Sequence, residues 1–324
     1  MRSALVGYGV IGKVHAKIIP GYGTLSAVCD IDPAVLENAP GERHYTDYLT
    51  MLDEVKPDVV HVCTPHYLHA DMVVAALERG INVLCEKPLC IKEEDIGRIL
   101  DAERRSTAQL AVCHQNRYNS ANRLVKEYLD GKTVETAVGQ VPWHRDAAYY
   151  ASGAWRGKWN TEGGGVLINQ ALHTFDLMQW FCGMPETLTA SISTLTLSEQ
   201  IEVEDTATVL CRGEGSGNFT FFATNGCVKD CPIDITIRAN GEWVRLMPKS
   251  VLIGNDLTVF EDKYRVYGKD CYGSGHEALI SDYYDCIATG RKFPIDGREA
   301  SKVIRMILAV YQSGGKPVAV GTEG

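Results

Sequence analysis

Gly7-Tyr8-Gly9-Val10-Ile11-Gly12, Asp30, Lys87 and His173 are residues whose types and spacing point to chemistry. The glycine loop follows the apolar run Ala4-Leu5-Val6 and opens a helical stretch, Val10 to Ile19. In that setting Gly7 permits a tight turn, Gly9 lets a pyrophosphate approach the backbone, and Gly12 permits close helix packing, with Val10 and Ile11 at the helix N-terminus that faces the phosphates. Asp30 ends the next apolar run, Ser26-Ala27-Val28-Cys29, at the spacing where a carboxylate accepts hydrogen bonds from ribose hydroxyls and repels a 2′-phosphate. NAD is therefore favoured over NADP, although Asp30 as a simple turn cap is the competing reading.

Lys87 follows the apolar Asn82 to Cys85, where an ammonium beside a nicotinamide would hydrogen-bond a reacting hydroxyl and stabilise alkoxide charge. Burial would lower its pKa toward a share in proton transfer. His173 suits the role of proton acceptor, because an unperturbed imidazole titrates near neutrality. Asn169, His173 and Asp176 fall at i, i+4 and i+7, which predicts one shared helical face behind the flexible Gly163-Gly164-Gly165. Thr64, Pro65 and His66 end another apolar run, with His69 close behind; each histidine either touches cofactor or anchors the next helix. Weaker candidates are Asn116, Arg117 and Tyr118 for cofactor or substrate, Trp155, Arg156 and Trp159 as a sugar-stacking face with a hydrogen-bonding fork, and Tyr272 and His276.

These groups need a scaffold, and the periodicity supplies two. Up to about residue 120, short apolar runs at Ser3 to Val6, Leu25 to Cys29, Val59 to Cys63, Asn82 to Cys85 and Leu110 to Cys113 alternate with helical stretches at Ala70 to Arg79 and Glu93 to Arg105. Consecutively apolar strands separated by helices predict an α/β, doubly wound parallel sheet over residues 1–120. Residues 121–324 read differently. A helix near Asn122 to Tyr128 precedes partly alternating runs at Glu186 to Thr196, Thr206 to Arg212, Asn218 to Thr224, Ile233 to Arg238 and Glu242 to Met247. Asn240-Gly241 is a hairpin signal, and helices are expected at Gly165 to Phe181, Leu279 to Ala288 and Glu299 to Gln312. The prediction is an α+β second domain with a large, mainly antiparallel sheet.

Composition narrows the partners. A length of 324 residues fits two domains, and 32 basic against 41 acidic residues, a formal charge of −9, disfavours nucleic acid or an anionic membrane. The N-terminal strand lacks signal-peptide features, and no stretch approaches the roughly 18 uninterrupted apolar residues of a spanning helix. Eleven cysteines without a Cys-x-x-Cys, several in apolar runs, suit a reducing cytoplasm. No metal site is expected, because His61, His66 and His69 lack clustered acidic or thiol partners in sequence.

The glycine loop, Thr64-Pro65 with His69, Glu86-Lys87-Pro88, the segment from Gly163 through Asn169 and His173 to Asp176, Gly275-His276-Glu277 and Tyr311-Gln312-Ser313 occur in one order along the chain. Together they resemble the glucose-fructose oxidoreductase / inositol dehydrogenase / MocA (Gfo/Idh/MocA) family. That resemblance implies a Rossmann domain carrying NAD, with Glu86 among the cofactor-side residues, then an open sheet that makes homodimers or homotetramers. It implies a secondary hydroxyl of a sugar, sugar derivative or cyclitol as substrate, Lys87 and His173 as catalytic residues, and no metal in the hydride chemistry. Many members carry an acid four residues before the histidine; this chain carries Asn169, which can still hydrogen-bond a substrate hydroxyl. Relatives that recycle bound NAD while cleaving glycosides offer an alternative reaction class, and a cofactor sensor without turnover a third.

Overall fold

The computed structural model describes residues 1–261, 264–267 and 273–321. It resolves into two compact units, Met1–Gln115 with Tyr264–Ser301, and Asn116–Lys263 with Lys302–Gly324.

The first unit holds a parallel sheet of β1 (Arg2–Val6), β2 (Thr24–Cys29), β3 (Arg43–Tyr45), β4 (Val59–Val62), β5 (Asn82–Cys85) and β6 (Leu110–Val112), in the order β3-β2-β1-β4-β5-β6. Strands β4 and β6 are buried at every residue, as expected of strands covered on both faces. Between them run α1 (Val10–Ile18), α2 (Pro33–Leu36), α3 (Tyr48–Val55), α4 (His69–Leu77) and α5 (Glu93–Arg105). Local chemistry sets several ends. Asp32 and Asp47 cap α2 and α3 through the Ala34 and Thr50 amides, and α5 opens on Glu93, Glu94 and Asp95 and closes on Arg104 and Arg105, matching its dipole.

In the second unit, α6 (Ser120–Leu129) precedes the long β7 (Val134–Pro142), then α7 (Ala147–Ala151) and α8 (Leu172–Cys182). Strands β8 (Thr187–Ser193), β9 (Thr206–Arg212), β10 (Phe219–Thr224), β11 (Asp234–Ala239), β12 (Glu242–Met247), β13 (Ser250–Ile253), β14 (Asp256–Val259) and β15 (Val318–Ala319) complete a nine-stranded sheet. Its order is β14-β13-β12-β11-β7-β10-β9-β8-β15, antiparallel except where β7 runs parallel to β10. Alternating burial along β9 and β10 marks one covered and one exposed face. Helix α8 covers the inner face, where Phe175 packs on Phe219 and Phe221, with centroids 6.1 and 4.8 Å away. A Cβ at Gly139 of β7 would stand 2.7 Å from Met178 Sδ, so that glycine lets α8 seat closely. Two helices follow: α9 (Gly275–Thr289), in the first unit, and α10 (Gly297–Ser313).

The structure departs from the sequence expectations in four places. Strand β3 and strands β7, β13, β14 and β15 had no clear sequence signal; β7 carries an interior glycine and a terminal proline, both depleted in strands. The helix expected from Gly165 begins only at Leu172; the segment before it lies against the backbone at Glu204, whose carbonyl accepts from the Val166 amide at 3.0 Å and whose carboxylate accepts from the Gly165 and Leu167 amides at 2.8 and 3.0 Å. Asn169 thus lies in the preceding turn, and the shared helical face with His173 and Asp176 does not exist. Finally, a single cut at residue 120 does not describe the units, because Tyr264–Ser301 belongs with the first. There α9 buries Leu279, Ile280, Tyr283 and Tyr284, the Tyr283 hydroxyl donates to Gln109 O at 2.7 Å, and the Val112 amide donates to Ile295 O at 3.0 Å.

Candidate functional site

In the first unit, the segments singled out in the sequence line up along the carboxyl edge of adjacent strands. The glycine loop follows β1, Asp30 follows β2, Thr64-Pro65 follows β4 and Glu86-Lys87-Pro88 follows β5. The chain leaves β1 toward β2 on one side and resumes at β4 on the other, which makes the β1–β4 edge the topological switch point where ligands of such sheets bind. Packing explains two of the three loop glycines. A Cβ at Gly7, whose φ is 89°, would stand 2.6 Å from Cys63 O, and one at Gly12 would stand 1.9 Å from Gly7 O. At Gly9 a Cβ would meet nothing within 4 Å, and this residue, which caps α1 with no side chain, leaves open space at the helix N-terminus beside exposed Val10 and half-buried Ile11. Open room at the positive end of a helix is what a pyrophosphate requires. Asp30 is half-buried and accepts from the Tyr8 amide at 2.8 Å and the Asp32 amide at 3.0 Å, so it ties the glycine loop to the end of β2.

Behind this edge the side chains do different work. His69 is fully buried, and its Nδ1 and Nε2 lie 2.7 and 2.9 Å from the carbonyls of Pro88 and Thr64. It anchors the β4 and β5 turns to each other, rather than turning toward a ligand. Glu86, expected on the cofactor side, points into the interior, 3.1 Å from His15 Nε2 and 3.8 Å from His276 Nε2. Burial alone would raise its pKa, but the His15 hydrogen bond and the charges of His15, His276 and Lys87 outweigh it and hold the carboxyl well below its usual range. His276 is buried, and burial pushes its pKa down to about 4. Lys87 itself is half-buried, while Tyr272 lies outside the described residues.

In the second unit, half-buried His173 occupies the first turn of α8. Asp176 is engaged elsewhere: Arg117 grips it bidentately, Nε to Oδ2 at 2.7 Å and an Nη to Oδ1 at 2.6 Å, and reaches Gln179 at 3.3 Å. Arg117 and Asp176 thus form a buried ion pair, which sequence spacing did not suggest. Tyr118 is buried with the Arg123 guanidinium 4.5 Å over its ring. The neighbouring Asn116 keeps a buried Oδ1 without a hydrogen-bond partner among the described residues, and its carbonyl accepts from Asn122 at 2.6 Å.

Around Asn169 the structure assembles a polar network in which most members carried no sequence signal. Its amide nitrogen donates to Glu162, a fully buried carboxylate, and to the Tyr149 hydroxyl at 3.2 Å. Gln170 also donates to that hydroxyl, at 2.9 Å, while Asn225 donates to Gln170 at 3.0 Å and to Tyr150 at 3.1 Å. Arg156 donates to Tyr149, and its guanidinium lies 4.5 Å from both the Tyr149 and Trp155 rings, so one face of Trp155 is already covered. Trp159 is held by a hydrogen bond to Glu202 O at 2.8 Å and by edge contact with Tyr311 at 5.0 Å. A buried carboxylate, Glu162, therefore lies beside position 169. The only signal in sequence was an acid immediately before three glycines. A second buried acid, Glu204, accepts from Gly165, Leu167 and, at 3.1 Å, the Tyr311 hydroxyl; burial pushes its pKa up to about 7.

The chain is 31% identical over 193 residues to D-glucoside 3-dehydrogenase of Escherichia coli, covering 57% of this chain and 55% of that protein. It is 28% identical over 203 residues to inositol 2-dehydrogenase of Rhizobium meliloti, covering 60% and 59%. These matches span a little over half the length of either relative. Among solved structures, the WlbA dehydrogenase of Chromobacterium violaceum in complex with NADH and UDP-GlcNAcA superposes with a TM-score of 0.87 at 29% identity, over 100% of this chain and 97% of that one. No helix among the described residues is long and apolar enough to cross a membrane. Residues 1–114 match the NAD-binding Rossmann fold of an oxidoreductase family and residues 118–243 its C-terminal domain, and the chain therefore belongs to the Gfo/Idh/MocA family.

Proposed function

We propose that this protein is an NAD-dependent dehydrogenase acting on a secondary hydroxyl of a sugar, sugar derivative or cyclitol. The observation that carries the reading is the carboxyl edge of the parallel sheet, where the open glycine loop, Asp30 and Lys87 stand at the ends of β1, β2 and β5. Gly7, Gly9, Val10, Ile11 and Gly12 hold the pyrophosphate on the α1 N-terminus, Asp30 the adenosine ribose, and Thr64, Pro65 and Asn116 the remainder of the cofactor. NAD, when bound, supplies the hydride acceptor. Lys87 orients the reacting hydroxyl and stabilises charge developing on its oxygen, and His173 accepts its proton. Tyr118, Trp155, Arg156 and Asn169 contribute to substrate binding, with Glu162 orienting the Asn169 amide. The named relatives act on glucosides and inositols, and the WlbA structure holds a nucleotide sugar, which supports this substrate class. A homodimer or homotetramer is part of the same proposal, because the outer sheet face exposes Val138, Leu210, Phe222 and Trp243.

The test is a screen of the full chain with NAD against sugars, cyclitols, nucleotide sugars and glycosides, read as NADH absorbance. Lys87→Ala and His173→Ala are each expected to lower turnover by about 10²–10⁴-fold while NAD binding persists. Glycoside consumption with bound NAD and no accumulating NADH would replace this reading with a redox-cycling hydrolase. Turnover unchanged in both variants would remove their assigned roles.

A further inference from the structure

One group of side chains among the described residues has the composition and closeness of a metal centre. His15, Glu86, Cys113 and His276 are all buried, and each offers a donor atom within 4.8 Å of the others. They come from α1, the turn after β5, the turn after β6, and α9, so no spacing rule connects them. Both histidines turn Nε2 toward the same Glu86 oxygen, at 3.1 and 3.8 Å. The histidines considered in the sequence, His61, His66 and His69, are not among the donors.

We infer that His15, Glu86, Cys113 and His276 form a closed four-ligand site for a structural divalent transition metal, zinc foremost. Three observations carry it. First, two imidazoles, one thiol and one carboxylate make a mixed N/S/O donor set suited to zinc, and all four positions come from protein, which distinguishes a structural site from one that keeps a water. Second, an ionised thiolate and carboxylate together neutralise a dication, so the filled site is uncharged in a region where an unpaired charge is costly. Third, the groups behind the donors are already ordered. With His15 Nε2 on the metal, Nδ1–H donates to His61 Nδ1 at 2.8 Å, His61 Nε2–H donates to the Tyr284 hydroxyl at 2.9 Å, and that hydroxyl donates to Ser3 Oγ at 2.7 Å. Donation in this direction gives His15 the outer hydrogen bond that ligand-bound histidines require. Bonds of about 2.0–2.3 Å set donors about 3.3–3.8 Å apart around a tetrahedral ion, so loading contracts the widest edge by roughly 1 Å. The ion would pin α1, α9 and the β5 and β6 turns together directly behind Lys87. It takes no part in the proposed hydride transfer.

The experiment uses the full chain purified without an affinity metal. Elemental analysis is expected to find about one zinc per chain, and stripped protein titrated with Co²⁺ is expected to show intense tetrahedral d–d bands and thiolate-to-cobalt charge transfer. Cys113→Ser should abolish the charge transfer, whereas Cys90→Ser, at a buried thiol outside the cluster, should preserve it. His276→Gln, which leaves the thiol in place, should lower zinc content even if Cys113→Ser fails to fold. Substoichiometric zinc together with a weak octahedral cobalt spectrum would show a cluster held by hydrogen bonds alone and overturn the inference, as would a zinc content untouched by both cluster variants. Lys87→Ala should retain full metal content, so this result stands apart from the dehydrogenase assignment.

Discussion

Glu86 and Glu204 are buried carboxylates, one in each unit, and their surroundings drive them in opposite directions. Glu86 faces His15, His276 and Lys87, and these cationic or protonatable groups outweigh the desolvation that would raise its pKa. Glu204 is held by two backbone amides and the Tyr311 hydroxyl, which do not offset burial, and its pKa is pushed up to about 7. The lesson is that burial does not decide ionisation by itself; nearby charge outweighs desolvation where a few neutral donors do not. The two acids accordingly do different structural work. One organises a histidine cluster behind Lys87, and the other shapes the turn between the triple glycine and α8.

The contrast can be broken most forcefully at Glu86. Glu86→Gln leaves Lys87 without its neighbouring counter-charge and the buried histidines without their anion, and is expected to cost about 3–5 kcal/mol, measured as a shift in the denaturant midpoint of the full chain. A loss under about 1 kcal/mol would mean that the histidines are not held by this charge.

At Glu204 the pH dependence sharpens the comparison. Its pKa is higher folded, about 7, than its ordinary 4.5, so the folded protein binds the proton more tightly. Its contribution is fully present below pH 4.5 and is lost as pH rises through about 7, roughly 3 kcal/mol in all. Glu103 in the first unit is also pushed up to about 7 by burial and adds a slope of the same sign, so the measured quantity is the difference between wild type and Glu204→Gln across that window. A difference independent of pH would show that Glu204 is ionised throughout.

Asp30 serves as the partly exposed control, its carboxylate held by two amides at the β2 end. Asp30→Asn keeps an acceptor for Tyr8, so folding stability should change by less than about 1 kcal/mol while the NAD-to-NADP affinity ratio falls about tenfold, by titration of each nucleotide. An unchanged ratio would leave Asp30 as a turn cap only.

The parallel sheet, the glycine loop with Asp30, the Asn240-Gly241 hairpin, whose residues have φ of 49° and 82°, and the two C-terminal helices were legible in the chain before any tertiary contact. Those signals are local: a strand, a turn residue and a helix face are written within some twenty positions, and elementary sterics read them. Tertiary structure alone decided the rest. It tied the segment from Gly165 to Glu204, so that the helix starts only at Leu172, and assigned Asp176 to Arg117 and Asn169 to Glu162. It also carried α9 back to the first unit, where His276 meets His15, Glu86 and Cys113. The physical reason is that burial and charge act through space. An acid reads the same in sequence whether it faces water, a histidine or a backbone amide, and only the packing of distant segments chooses among them.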